Sequence, residues 1–134
     1  MSKIIIPTYI QEEITAHLRN CLPQEGCGLL AGKGNRISLF IPVTNSSVSE
    51  TTFFMEPAEL YQALIRIESL ELDLLTIVHS HPKGPLQPSI TDIREFLYQG
   101  VVTMICMPDN DKWECQTFLI ENNDYFDIEL VIEN

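Results

Sequence analysis

The chain has 134 residues, 45% hydrophobic and 20% charged, which fits one globular domain with room for one sizeable core. With 19 acidic against 8 basic residues its formal net charge is −11, which argues against a nucleic-acid binder, because no basic excess exists to displace phosphate counterions. No apolar run approaches the ~20 residues that span a bilayer, and MSKIIIPTYI is too short for a signal peptide, so a cytoplasmic protein with no membrane partner is expected.

In chain order, IIIP reads as a short strand. Tyr9 to Leu22 reads as a helix, with Ile10, Ile14, His17 or Leu18, and Cys21 at three-to-four spacing. Thr8 is its candidate N-cap, with Gln11 completing a weak capping box, and Pro23 ends it. From Glu25, EGCGLLAG is a glycine-spaced strand, and RISLFIPVTN is a strong one. SSVSE is a loop and TTFFM a short strand. Pro57 opens a helix at the position where its missing N–H costs nothing; Leu60, Leu64, Ile67 and Leu70 share one side of it. LDLLTIVHSH is almost wholly apolar until its end, as in a strand covered on both faces. Ser89 starts a helix expected to run through Tyr98 and close at Gly100. VVTMICM, WECQTFLIE and YFDIELVIE complete the strands, with PDND as a turn. This order indicates an α/β or α+β chain, with a mixed sheet flanked by helices. Cys21, Cys27, Cys106 and Cys115 form no CxxC pair and are expected to be reduced core residues.

The buried strand ends in His79-Ser80-His81-Pro82. Side chains alternate along a strand, so the two imidazoles point the same way. Asp92, in the first turn of the next helix, can add an oxygen. Two His and one carboxylate leave zinc an open position, although non-haem iron uses the same set. Hydrolysis also needs a proton carrier. Glu25 is the candidate, a carboxylate at the start of an otherwise uncharged strand. Ser89 can donate to a developing oxyanion, and Ser89-x-x-Asp92 is equally a helix-capping pattern. His17 reads as structural, and Glu50 and Glu56 as surface.

Taken together, Glu25 followed by HSHPKGPLQPSITD resembles the signature of the JAMM (MPN-plus) metalloproteases, a Glu upstream of His-(Ser/Thr)-His-x7-Ser-x-x-Asp. The resemblance covers nearly the whole chain and implies an α/β, cytidine-deaminase-like (MPN) fold as a single domain over residues 1–134. It implies Zn2+ on His79, His81 and Asp92, with Glu25 as general base and then acid and Ser89 as oxyanion donor. It also implies hydrolysis of an amide or isopeptide bond after the C-terminal tail of a ubiquitin-like or sulfur-carrier protein, and a homodimer in many members. The compact size is similar to that of the prokaryotic stand-alone members. The tail could lie along Ser46 to Phe54 as an added strand. The alternatives are a zinc peptidase on short or cell-wall-type peptides, a non-catalytic MPN scaffold and an iron oxygenase. The deaminase signature, H-x-E followed by P-C-x-x-C, is absent.

Overall fold

A computed structural model describes residues 2–134. The chain forms β1 (Lys3–Pro7), α1 (Thr8–Cys21), β2 (Cys27–Lys33), β3 (Arg36–Val43), α2 (Pro57–Ser69), β4 (Asp73–Ser80), α3 (Ile90–Arg94), β5 (Val102–Asp109), β6 (Lys112–Glu121) and β7 (Asp124–Glu133). The sheet is mixed, in the order β1-β3-β2-β4-β5-β6-β7, with parallel pairing only in β1/β3, β1/β7 and β4/β5. Its two ends meet, because β1 lies along β7 from Lys3↔Glu129 to Pro7↔Glu133 and touches β3 at Ile5↔Arg36. The closure is thin on one side, since β1 meets β3 at that single pair and the rest of β3 pairs with β2 alone.

Two apolar layers hold the sheet. On one side α1 buries Ile10, Ile14 and Leu18 against Ile4, Ile6, Leu30, Phe40, Val78 and Met104. On the other, α2 sets Ala63 and Ile67 against Leu29, Ala31, Val43 and Ile77. Each fully buried Ile or Leu contributes roughly 2 kcal/mol. Strand β4 runs between β2 and β5 under both layers, which is why Leu74 to Val78 is apolar but for the buried Thr76 and why its end is a rigid place for a functional side chain. Among the described residues, no helix is long and apolar enough to cross a membrane.

Four local expectations are corrected. Thr8 does not cap α1: Pro7 holds the cap position, and the Thr8 hydroxyl is turned to the carboxyl-terminal segment, near the Glu133 carbonyl (3.2 Å) and Asn134 Oδ1 (2.9 Å). TTFFM is not a strand. Only the bridge Asn45↔Met55 forms, because the segment satisfies itself through side chains, with Ser47 Oγ 2.9 Å from Thr52 Oγ1 and Ser49 Oγ 3.1 Å from Thr51 Oγ1. Helix α3 stops at Arg94 instead of Tyr98: Tyr98 packs on the α2 layer, and Gly100, at φ +80°, serves a turn beyond it. Cys106 and Cys115 are directly opposed on β5 and β6, with Cα atoms 4.1 Å apart, and are joined as a disulfide where reduced thiols were expected. Cys21 and Cys27 are free.

Register shifts in β2 bracket Ala31, so β2 is irregular where it turns past β3. A methyl group on Gly32 would collide with the Arg36 carbonyl and come within 3.0 Å of Ile37 Cα, neither of which can swing aside. Gly32→Ala should therefore cost about 2–3 kcal/mol in urea unfolding. An unchanged midpoint would mean that the β2–β3 ribbon yields freely there.

Candidate metal centre

Three elements converge at the end of β4. His79 lies on the strand, 2% exposed, and His81 lies one residue past it, 6% exposed. Backbone pairing continues through the turn: His81 N–H donates to the Cys106 carbonyl (2.9 Å), and Ser80 N–H to the Gly26 carbonyl (3.0 Å). Ser80 Oγ accepts from Gly26 N–H (2.8 Å), which ties the segment carrying Glu25 to the histidine strand. Asp92 is set by a capping box: Asp92 N–H donates to Ser89 Oγ (3.0 Å), and Ser89 N–H donates to Asp92 Oδ2 (2.9 Å). The capping reading of Ser89 and Asp92 thus holds, and Asp92 Oδ2 also lies beside both histidines.

His79 Nε2, His81 Nε2 and Asp92 Oδ2 form a triangle with sides of 3.2, 3.3 and 3.1 Å. Hydrogen bonding satisfies it only by turning both N–H groups onto Asp92 Oδ2, which sets two donors side by side on one oxygen. A shared cation satisfies all three atoms. Ligand atoms at bonds of about 2.0–2.1 Å and tetrahedral angles lie about 3.3 Å apart, so the triangle has the dimensions of one face of a zinc tetrahedron. His81 has the outer partner expected of a metal-ligating imidazole, with Nδ1 2.8 Å from the Pro85 carbonyl. His79 Nδ1 is buried with no partner.

Glu25 precedes β2 and is 3% exposed. It brings a carboxylate oxygen within 4.8 Å of both imidazoles. Asp92, at 3.1–3.3 Å, is the nearer carboxylate, so Asp92 completes the triangle and Glu25 faces it from outside. Glu25 Oε1 has no hydrogen-bond partner. Burial pushes its pKa up to about 7; His81 opposes the rise and Asp92 adds to it. Asp92 moves the other way. Burial alone would raise it, but hydrogen bonding with both imidazoles and the Ser89 N–H outweighs this and holds its carboxyl well below the usual range. Burial lowers the His79 pKa. For His81, burial is outweighed by Asp92 and the Pro85 carbonyl, and the pKa rises.

The triangle stands between two cavities. An apolar cleft of about 650 Å³ is lined by Phe53, Leu60, Ile77, His79, Asp92 and Tyr98. A polar recess of about 380 Å³ is lined by Glu25, Glu50, His81, Lys83 and Ser89. All five residues singled out in the sequence therefore surround one point. Two neighbours were missed. Phe53 stacks on His79, with ring centroids 4.5 Å apart and planes at 23°. Asn45 Nδ2 donates to the Glu25 carbonyl at 2.9 Å. The only sequence signals for them were an aromatic pair in a polar loop and an Asn at a strand end. His17 is structural as expected, with Nε2 3.1 Å from the Cys27 carbonyl.

Comparison with known proteins converges on one family. Residues 7–119 match the family described as prokaryotic homologs of the JAB domain. A probable TtuB-protein conjugate cleaving protease of Thermus thermophilus is 42% identical over 93 residues, covering 69% of this chain and 62% of that protein. A desampylase of Haloferax volcanii is 30% identical over 115 residues, 81% of this chain and 83% of that one. The CysO-cysteine peptidase of Mycobacterium tuberculosis is 30% identical over 93 residues, 68% of this chain and 64% of its own length. Among solved structures, protein DSY2949 of Desulfitobacterium hafniense superposes with a TM-score of 0.88 at 29% identity, covering 98% of this chain and 93% of that chain. AF2198 of Archaeoglobus fulgidus, a JAB1/MPN domain protein, superposes at 0.61 and 20% identity, over 98% of this chain and 100% of that chain. The fold is thus the JAB/MPN fold, a mixed sheet flanked by helices, and the chain belongs to the family of prokaryotic JAB-domain proteins.

Proposed function

We propose that the chain is a zinc-dependent metallopeptidase that hydrolyses the amide or isopeptide bond after the C-terminal tail of a ubiquitin-like or sulfur-carrier protein. The observation that carries this reading is the triangle of His79, His81 and Asp92 faced by a buried, unpartnered carboxylate. The names of three relatives, a conjugate-cleaving protease, a desampylase and a CysO-cysteine peptidase, support the substrate class. The chain spans 62% of the first relative's length.

Held by the two imidazoles and Asp92, zinc would act as a Lewis acid toward water and the scissile carbonyl. Glu25 would take the proton of the attacking water and deliver it to the departing nitrogen, a role its burial beside the triangle supports. A pKa near 7 suits both directions of transfer at neutral pH. Ser89 Oγ accepts from Asp92 N–H, which leaves its own hydroxyl proton free for the developing oxyanion. Pro85 and Asp92 hold the His81 ring. The apolar cleft suits the extended tail, with the Ser46–Phe54 segment as one wall.

Incubation with a sulfur-carrier or ubiquitin-like protein extended at its C-terminus by one amide-linked residue tests the reading. Wild type should release the carrier ending at its native tail, and Glu25→Gln should stall while keeping its metal. Full turnover by Glu25→Gln would remove Glu25 from the chemistry. Ser89→Ala should lose rate by about 10²-fold and stability by about 1 kcal/mol. Stability loss with no rate loss would leave only the cap.

The raised Glu25 pKa also predicts a pH effect in metal-free protein. The unfolded chain releases this proton near pH 4.5, whereas the folded chain keeps it until about 7. Stability from this group is therefore full below the lower value and lost as pH rises through the upper one. Between pH 5 and 7.5, Glu25→Gln should gain on the order of 2 kcal/mol relative to wild type in denaturant melts. Parallel curves would mean that Glu25 is solvated in the native state.

A further inference from the structure

The two histidines of the centre are supported unequally. His81 has a carbonyl on its outer nitrogen, as ligating imidazoles almost always do. His79 has none. Its Nε2 faces the triangle, so for metal binding through that atom the proton must sit on Nδ1, where no acceptor exists. What touches the ring instead is Phe53, stacked in near-parallel planes.

Phe53 does not arrive there by chance of a loose loop. Asn45 fixes both flanks. Its Nδ2 donates to the Glu25 carbonyl (2.9 Å) and the Thr52 carbonyl (3.3 Å), and its Oδ1 accepts from Ser47 N–H and Phe54 N–H (2.9 Å each). One amide thereby uses all of its hydrogen-bonding capacity to bind residues 52 and 54 to the segment carrying Glu25. Ser46 N–H to the Phe54 carbonyl (2.8 Å) closes the loop again. The ring between those two residues lies over His79.

We propose that Phe53 is a positioning residue for His79, its ring face supplying by stacking the orientation that a hydrogen bond supplies to His81, with Asn45 as the anchor that keeps it in place. This rests on the metal-centre reading above. The Ser46–Phe54 wall then serves in two ways. The segment that borders the cleft also orients a metal ligand, so any displacement of the wall is felt at the centre.

Cobalt binding tests it, read by chelator competition and by the visible spectrum of the bound ion. Phe53→Leu, checked for folding by amide NMR, should bind cobalt about tenfold more weakly, with an altered visible spectrum. Phe53→Tyr, which keeps the ring, should restore both. Tyr61→Leu, at an exposed aromatic on α2 outside the cleft, should change neither. Unchanged affinity and spectrum in Phe53→Leu would overturn the proposal alone. Failure of wild type to bind cobalt at all would overturn the metal reading, and this one with it. If Phe53→Leu does not fold, wild type still decides: the His79 ring protons should be shifted upfield by the stacked ring in both metal-free and zinc-loaded protein, and unshifted resonances would overturn the proposal.

Discussion

One carboxylate oxygen holds the arrangement together. Asp92 Oδ2 lies 3.1 Å from His81 Nε2 and 3.3 Å from His79 Nε2, and it accepts the Ser89 N–H at 2.9 Å. Two imidazoles buried side by side repel if both are protonated and are poorly solvated if neither is. A partly buried anion at their shared corner resolves this only in part, since the two nitrogens still face each other at 3.2 Å. A shared cation would meet what remains. The fold keeps the three atoms together: β4 is locked between β2 and β5, and α3 exists for little more than one turn, with the same oxygen that meets the histidines closing its capping box.

Around this point two carboxylates are driven in opposite directions by their surroundings. Asp92 has imidazoles and a backbone donor about it and stays ionised. Glu25 has burial and no partner on Oε1, and its affinity for a proton rises into the neutral range. On the proposed reading, one anion would hold the metal and one group would exchange protons. The non-catalytic scaffold reading has no use for a buried carboxylate without a partner, since such a group costs stability and does nothing for packing.

The centre is legible in the sequence because most of its spacing is local. His79 and His81 share one strand end, and Ser89 and Asp92 share one helical turn, so alternation and capping rules are enough to align them. Glu25 is legible through its isolation among apolar and glycine residues. What cannot be read depends on contacts distant along the chain. Thr8 reads locally as a cap because the nearness of Glu133 and Asn134 is invisible there. The sequence pattern overextends α3 because Tyr98 leaves the helical path to pack against the α2 layer. The Phe53 stack on His79 joins residues 26 apart through a loop with no regular pattern, and the pairing of β1 with β7 joins opposite ends of the chain.

The most direct test of the account is the metal content per chain, by elemental analysis, of wild type and His79→Ala purified without chelator or added metal. The account predicts close to one zinc per wild-type chain and little in the variant, with both folded. A folded wild type that holds no metal and refuses added zinc, or a variant that keeps its full complement, would contradict it.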